Sequence, residues 1–201
     1  MDNAENKTVA RLSEILAISY GLPPSEAHRV RLAAALHDIG KEKINPAILN
    51  KPGKLTAEEF EVIKTHTTLG AEMLASVEGG IGELLHEVCL YHHEWHNGGG
   101  YWGKRLNDLP VACQLISVCS EFSPLAKTHF VRRTLHSVPD VFCALMSRRC
   151  YKEPWPPHEA MDYIKKQAGT QFSPELTEVF LWLVEHDERV AALFEGRKMP
   201  H

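Results

Sequence analysis

Apolar residues recur at three- and four-residue intervals through most of the chain, and nowhere do they alternate with polar ones over a strand length. Between residues 3 and 20, Val9, Leu12, Ile15 and Leu16 share one helical face, and Gly21-Leu22-Pro23-Pro24 stops the pattern. Ser25 and Glu26 open a second helix, whose small residues Ala33, Ala34 and Ala35 let another backbone approach closely before the run ends at His37-Asp38. Gly40, Pro46, Pro52 and Gly53 make the next stretch a structured loop with one helical turn at Ala47-Ile48-Leu49. Thr56, with Glu59 three residues on, forms a capping box for a third helix striped by Phe60, Ile63, Leu69, Met73 and Leu74, with His66 near the stripe.

Gly79-Gly80 separates a fourth helix, Ile81 to about Glu94, and residues 95–110 read as a loop rich in glycine and asparagine. A fifth helix starts at Val111. Further helices are expected over Val141–Ser147, His158–Ala168 and from Ser173 through Leu183. The prediction is an all-α helical bundle of about seven helices, with polar ligands projecting inward from several of them.

Composition narrows this picture without changing it. The chain has 201 residues, 44% of them hydrophobic and 24% charged, which suits one ordinary folded domain spanning 1–201. A formal charge of -4 offers no global basic field, so DNA and RNA are not expected partners and an anionic ligand needs a local device. The first residues lack the blocks of a signal peptide, and no 18 apolar residues run together, so a cytoplasmic protein without membrane contact is expected. Five cysteines without a CxxC pair read as reduced thiols.

Twelve histidines are many, and four of them sit in tight motifs. His37-Asp38 offers an imidazole nitrogen beside a carboxylate that can bridge two ions. His66 and the pair His92-His93 add nitrogen donors, suiting iron, manganese or another first-row ion. Adjacent residues in a regular helix point about 100° apart, so His92 and His93 serve one centre only where the helix ends or the site holds two ions. Such a centre can activate water for in-line attack on phosphorus, which makes phosphoester hydrolysis the leading chemistry.

The runs His37-Asp38-Ile39-Gly40-Lys41, Lys51-Pro52-Gly53-Lys54-Leu55, Lys64-Thr65-His66 and His92-His93-Glu94 through Gly98-Gly99-Gly100-Tyr101 resemble the HD-GYP family of HD phosphohydrolases. Arg149-Cys150-Tyr151-Lys152 and Gly169-Thr170-Gln171-Phe172-Ser173-Pro174 fit the same pattern, so the resemblance covers nearly the whole chain. It implies an HD-type metal centre in the core of the bundle, with two or three divalent ions, iron or manganese. It also implies hydrolysis of cyclic di-GMP or a related nucleotide to its linear form or to GMP, as part of bacterial second-messenger signalling. Carried over residue by residue, His37, Asp38, His66, His92, His93 and Asp140 match metal ligands. Asp38 and Lys41 stand at the reacting centre, and Lys41, Gly100, Tyr101, Arg149 and Lys152 face the substrate. Family members are commonly joined to receiver or sensory domains, which implies a signalling protein or a second copy of the chain as partner.

Four departures from the family pattern qualify the activity, and a degenerate module that binds nucleotide or protein without turnover is the alternative. Glu5 stands where the first helix usually carries a ligand histidine; it reads equally as a ligand or as a solvated residue. Trp102 replaces the proline of the GYP tripeptide, removing a fixed φ and placing a larger ring over or across the pocket. Cys143 replaces a second aspartate. Finally, residues 118–125 echo 138–145, so that either Ser120 or Asp140 takes the ligand position; Asp140 is favoured, with 120–139 as an insertion and 189–201 as a C-terminal tail.

Overall fold

The structure, a computed structural model, describes residues 3–51, 53, 55–120 and 157–193. Among them every regular element is helical: α1 (Asn3–Ser19), α2 (Pro24–Leu36), α3 (Pro46–Leu49), α4 (Ala57–Lys64), α5 (His66–Met73), α6 (Gly80–Tyr91), α7 (Val111–Ser120), α8 (Pro157–Gln167), α9 (Pro174–His186) and α10 (Glu188–Leu193). Two 3-10 turns, Ile39–Lys43 and Leu106–Asp108, complete the set. The all-α expectation is met; the only strand-like features among the described residues are isolated bridges, Trp95 with Arg105 and Ala168 with Phe172.

The N-terminal pair forms a hairpin because α1 stops cleanly. Gly21 takes φ +101, Leu22 N–H donates to the Ala17 carbonyl at 3.0 Å and Gly21 N–H to Ile18 at 3.0 Å, a Schellman closure that turns the chain back along itself. Val9, Leu12 and Leu16 on α1 then meet Ala27, Val30, Ala33 and Ala34 on α2, all of them buried. The core continues through Leu85, Val88 and Cys89 on α6, Leu115 and Ile116 on α7, and Phe172, Leu176, Phe180 and Leu183 toward the C-terminal side. Full burial of each Leu or Phe contributes roughly 1.5–3 kcal/mol, which the bundle needs in order to hold several polar side chains in its interior.

Three boundaries differ from the sequence expectation. The expected third helix is two, because the chain bends at Thr65 between α4 and α5, and that bend brings His66 to the first turn of a new helix. The capping box at its start is present, with Thr56 Oγ1 accepting from Glu59 N at 3.2 Å and Glu59 Oε2 accepting from Thr56 N at 2.7 Å. The fourth helix ends at Tyr91 rather than near Glu94. Glu188–Leu193, at the start of the expected tail, forms a short helix with Val190 buried. The expected insertion 120–139, the helix Val141–Ser147 and the joint at 154–156 lie outside the described residues, apart from Ser120 at the end of α7.

Candidate metal centre

Helix ends build the site. His37 caps the C-terminus of α2, Asp38 precedes the turn Ile39–Lys43, His66 opens α5, and His92 caps α6 with His93 just beyond. Because α6 has already ended, His92 and His93 escape the 100° divergence of a continuous helix, and their ring centroids lie 4.1 Å apart.

Each of three rings is fixed by a backbone carbonyl three or four residues before it, which for His66 is on the preceding helix α4. His37 Nδ1 donates to the Ala34 carbonyl at 2.7 Å, His66 Nδ1 to Ile63 at 2.7 Å, and His92 Nδ1 to Val88 and Cys89 at 2.9 and 3.0 Å. A carbonyl can only accept, so the proton is assigned to Nδ1 and the neutral ring presents a bare Nε2 to the interior. These Nε2 atoms converge on one carboxylate. Asp38 Oδ2 lies 3.3 Å from His37 Nε2 and 2.6 Å from Lys41 Nζ, while Oδ1 lies 3.3 Å from His66 Nε2 and 3.7 Å from His92 Nε2. Ligand atoms of Asp38, His66, His92 and His93 all fall within 4.8 Å of one another.

This donor set fits a cation. The Nε2 atoms of His66 and His92 approach to 3.3 Å, and two acceptor lone pairs so close, beside a carboxylate oxygen, are reconciled by a positive ion between them. The backbone bonds on Nδ1 are the outer partners that orient metal-ligating histidines. Electrostatics agree. Burial alone would raise the Asp38 carboxyl, but Lys41 and then His37 outweigh it and hold it well below the usual carboxylate range. Burial pushes His66 down to about 3, holds His93 well below the usual imidazole range and also lowers His92, so all three rings are biased toward the neutral form that binds metal.

A pH prediction follows. An unfolded histidine titrates near 6.5, so protons are taken up on unfolding between that value and about 3. Stability from burying neutral His66 is full above about pH 6.5 and is lost as pH falls toward 3. The thermal midpoint of metal-free protein should therefore drop steadily across that window; a midpoint that stays flat down to pH 4 contradicts the buried neutral ring.

Close backbone contact holds the two halves of the site together. A Cβ at Gly40 would collide with the His66 carbonyl oxygen and the Gly70 nitrogen, so the turn after Asp38 lies directly on the first turn of α5. Gly40→Ala should displace His66 relative to Asp38, destabilising the protein by about 1–3 kcal/mol or more and weakening metal uptake, as read by denaturant unfolding and metal titration. Unchanged metal affinity would refute this coupling.

Glu94 has a role that the sequence did not announce. It is buried, and its carboxylate accepts from the backbone N–H of Trp102 and of Lys104, both at 2.6 Å, clamping the glycine-rich loop. Burial raises its carboxyl above the ordinary value against the pull of those two bonds. Gly100 has no room for a side chain because it rests on the His93 carbonyl and the Glu94 backbone. The clamp sets Tyr101 on the His93 ring, centroids 4.4 Å apart and 30° from parallel, and Phe60 meets Tyr101 edge-on at 5.7 Å. Trp102 is 44% exposed, and its indole Nε1 donates to Thr67 Oγ1 at 3.3 Å. Lys64 Nζ sits 5.5 Å from the Trp102 ring and 5.9 Å from those of Phe60 and Tyr101. The only sequence signal for this cation was its place in Lys64-Thr65-His66.

The structure thus brings together His37, Asp38, Lys41, His66, His92, His93, Gly100 and Tyr101. Lys41 pairs with Asp38, where the family resemblance had turned it toward phosphate. Glu5 falls in α1 and Ser120 ends α7, but the side chains of both lie outside the description, as do Asp140, Cys143, Arg149 and Lys152 entirely.

Comparison with known proteins places this geometry. The sequence profile of the HD domain matches residues 7–125. A cyclic di-GMP phosphodiesterase of Thermotoga maritima is 37% identical over 176 residues, covering 87% of this chain and 42% of that protein. The 3'3'-cGAMP-specific phosphodiesterase 2 of Vibrio cholerae is 33% identical over 190 residues, 94% of this chain and 32% of its own length. The chain therefore spans well under half of these relatives. Among solved structures, an HDG"Y"P protein from Bdellovibrio bacteriovorus superposes with a TM-score of 0.64 at 20% identity, covering 90% of this chain and 51% of that one, a likeness of fold. With the HD profile running over more than half of its length and the His/Asp cluster inside the matched segment, this chain belongs to the HD domain family.

Proposed function

We propose that this chain is a metal-dependent phosphodiesterase acting on cyclic di-GMP, opening the ring to the linear dinucleotide or to GMP in second-messenger signalling. The observation that carries the reading is the division of one carboxylate between two histidine sets: Asp38 Oδ2 toward His37 and Oδ1 toward His66 and His92. That arrangement suits divalent metal, two ions of iron or manganese by donor type, which His37, Asp38, His66, His92 and His93 would hold. Bound there, such ions would supply Lewis-acid polarisation of a phosphoryl oxygen and activation of water.

The chain's own residues do the rest. Backbone carbonyls hold His37, His66 and His92 in the tautomer that presents Nε2, so donors need not reorganise on binding. Lys41 Nζ, on the Asp38 edge of the site, is placed to trade its carboxylate bond for a phosphate oxygen, and Tyr101 walls the His93 side. Substrate contacts from Arg149 and Lys152, metal ligation by Asp140 or Glu5, and a single domain over the whole chain belong to the same reading on the strength of the resemblance. The names of the relatives support the substrate class, and a cytoplasmic setting accords with the free, buried thiols Cys89, Cys113 and Cys119. Among the described residues no helix is long and apolar enough to cross a membrane.

The test is turnover by purified protein loaded with manganese or ferrous iron, offered cyclic di-GMP and, separately, 3'3'-cGAMP. Release of linear dinucleotide or GMP from cyclic di-GMP supports the reading. Faster cleavage of cGAMP would move the substrate, and metal occupancy with nucleotide binding but no product would make the chain a binding module.

A further inference from the structure

Trp102 is an unusual residue to leave in the open beside a polar centre. Its ring is 44% exposed, yet it is held at two points: the backbone N–H on Glu94 and the indole Nε1 on Thr67, the residue after His66. Its neighbour Tyr101 lies on His93, so the indole stands at the rim of the cluster, between the elements that carry His66 and His93. Lys64 Nζ, 5.5 Å from the ring, is tied to Glu61 at 3.0 Å. A large aromatic plane that is solvated, immobilised and flanked by a cation loses little entropy when a flat ligand lies on it, and every nucleobase has such a face.

We propose that Trp102 is a base-binding residue that stacks a base of the nucleotide whose phosphate occupies the metal centre, with Lys64 reinforcing the platform electrostatically. This rests on the reading of the site as a nucleotide phosphodiesterase. It adds that affinity for the base comes from Trp102 and affinity for the phosphate from the His/Asp cluster, so the two are separable. Any non-proline substitution keeps the backbone N–H on Glu94, and the loop clamp survives the test.

The experiment is calorimetric titration of manganese-loaded protein with GMP and, in parallel, with inorganic phosphate, for the native chain and for Trp102→Phe and Trp102→Leu. Stacking predicts that Trp102→Leu weakens GMP about tenfold while phosphate affinity stays within about twofold, and that Trp102→Phe keeps most of the GMP affinity. Equal losses for GMP and phosphate, a Phe variant as weak as the Leu variant, or native protein that binds GMP no better than phosphate would each overturn it. Hydrolysis is read apart from this. Native protein that shows the GMP pattern without cleaving cyclic di-GMP removes the phosphodiesterase reading and leaves the stacking, whereas cleavage with an unaffected Leu variant removes the stacking alone.

Discussion

Asp38→Ala is expected to abolish phosphodiester hydrolysis, lowering turnover on the order of 10³-fold, equivalent to about 4 kcal/mol of transition-state stabilisation. The size follows from the position of one side chain in four relationships: with His37, Lys41, His66 and His92, at 2.6 to 3.7 Å. Removing it leaves three Nε2 acceptors without the negative charge that makes their meeting point attractive to a cation, so metal stoichiometry should fall together with activity. Asp38→Asn separates the parts, since the amide keeps the volume but only one acceptor oxygen. It should bind metal more weakly than native protein and hydrolyse little. Full metal occupancy with undiminished turnover in either variant would exclude Asp38 from the centre.

Glu94→Ala carries the second large effect. Two backbone N–H groups, on Trp102 and Lys104, lose a charged acceptor at 2.6 Å. With about 1.5–3 kcal/mol at stake for each hydrogen bond to a charged group, discounted because the loop can rewet, the protein should lose about 3 kcal/mol. Tyr101 would no longer be pressed on His93, so substrate affinity should suffer more than metal content. Glu94→Gln retains one acceptor and should fall between native and alanine in denaturant midpoint. If alanine and native unfold together, the clamp does not hold the loop.

Much of this was legible in the chain, and the reasons are particular. The His37-Asp38 pair was visible because small residues and a glycine surround it, and the structure shows why that glycine is there: Gly40 touches the His66 backbone. The capping box at Thr56 is a local rule, and it held. The break at Thr65 was not legible, because the apolar stripe of Phe60, Ile63, Leu69 and Met73 passes over a one-residue bend without losing phase. Glu94 was hidden for a different reason. It follows His92-His93 directly in the motif and carries no role of its own there, and only the fold shows it bonded to nitrogen atoms eight and ten residues later. The cation beside three aromatic rings was equally hidden, since Lys64 joins Tyr101 and Trp102 only through the tertiary fold.

The loop that follows His93 is also sewn to the far end of the chain: His96 N–H donates to the Gln171 carbonyl at 2.9 Å and Asn97 N–H to Thr170 at 3.0 Å. Residues 170 and 171 lie well beyond the segment 7–125 that matches the HD profile. The loop bearing Tyr101 and Trp102 is therefore held from two sides, by the Glu94 carboxylate within it and by the carbonyls of residues 170 and 171 from outside the matched segment. The mouth of the site thus draws on the C-terminal helices as well as on the HD segment, so a change near residue 170 can reach the rim without touching a histidine.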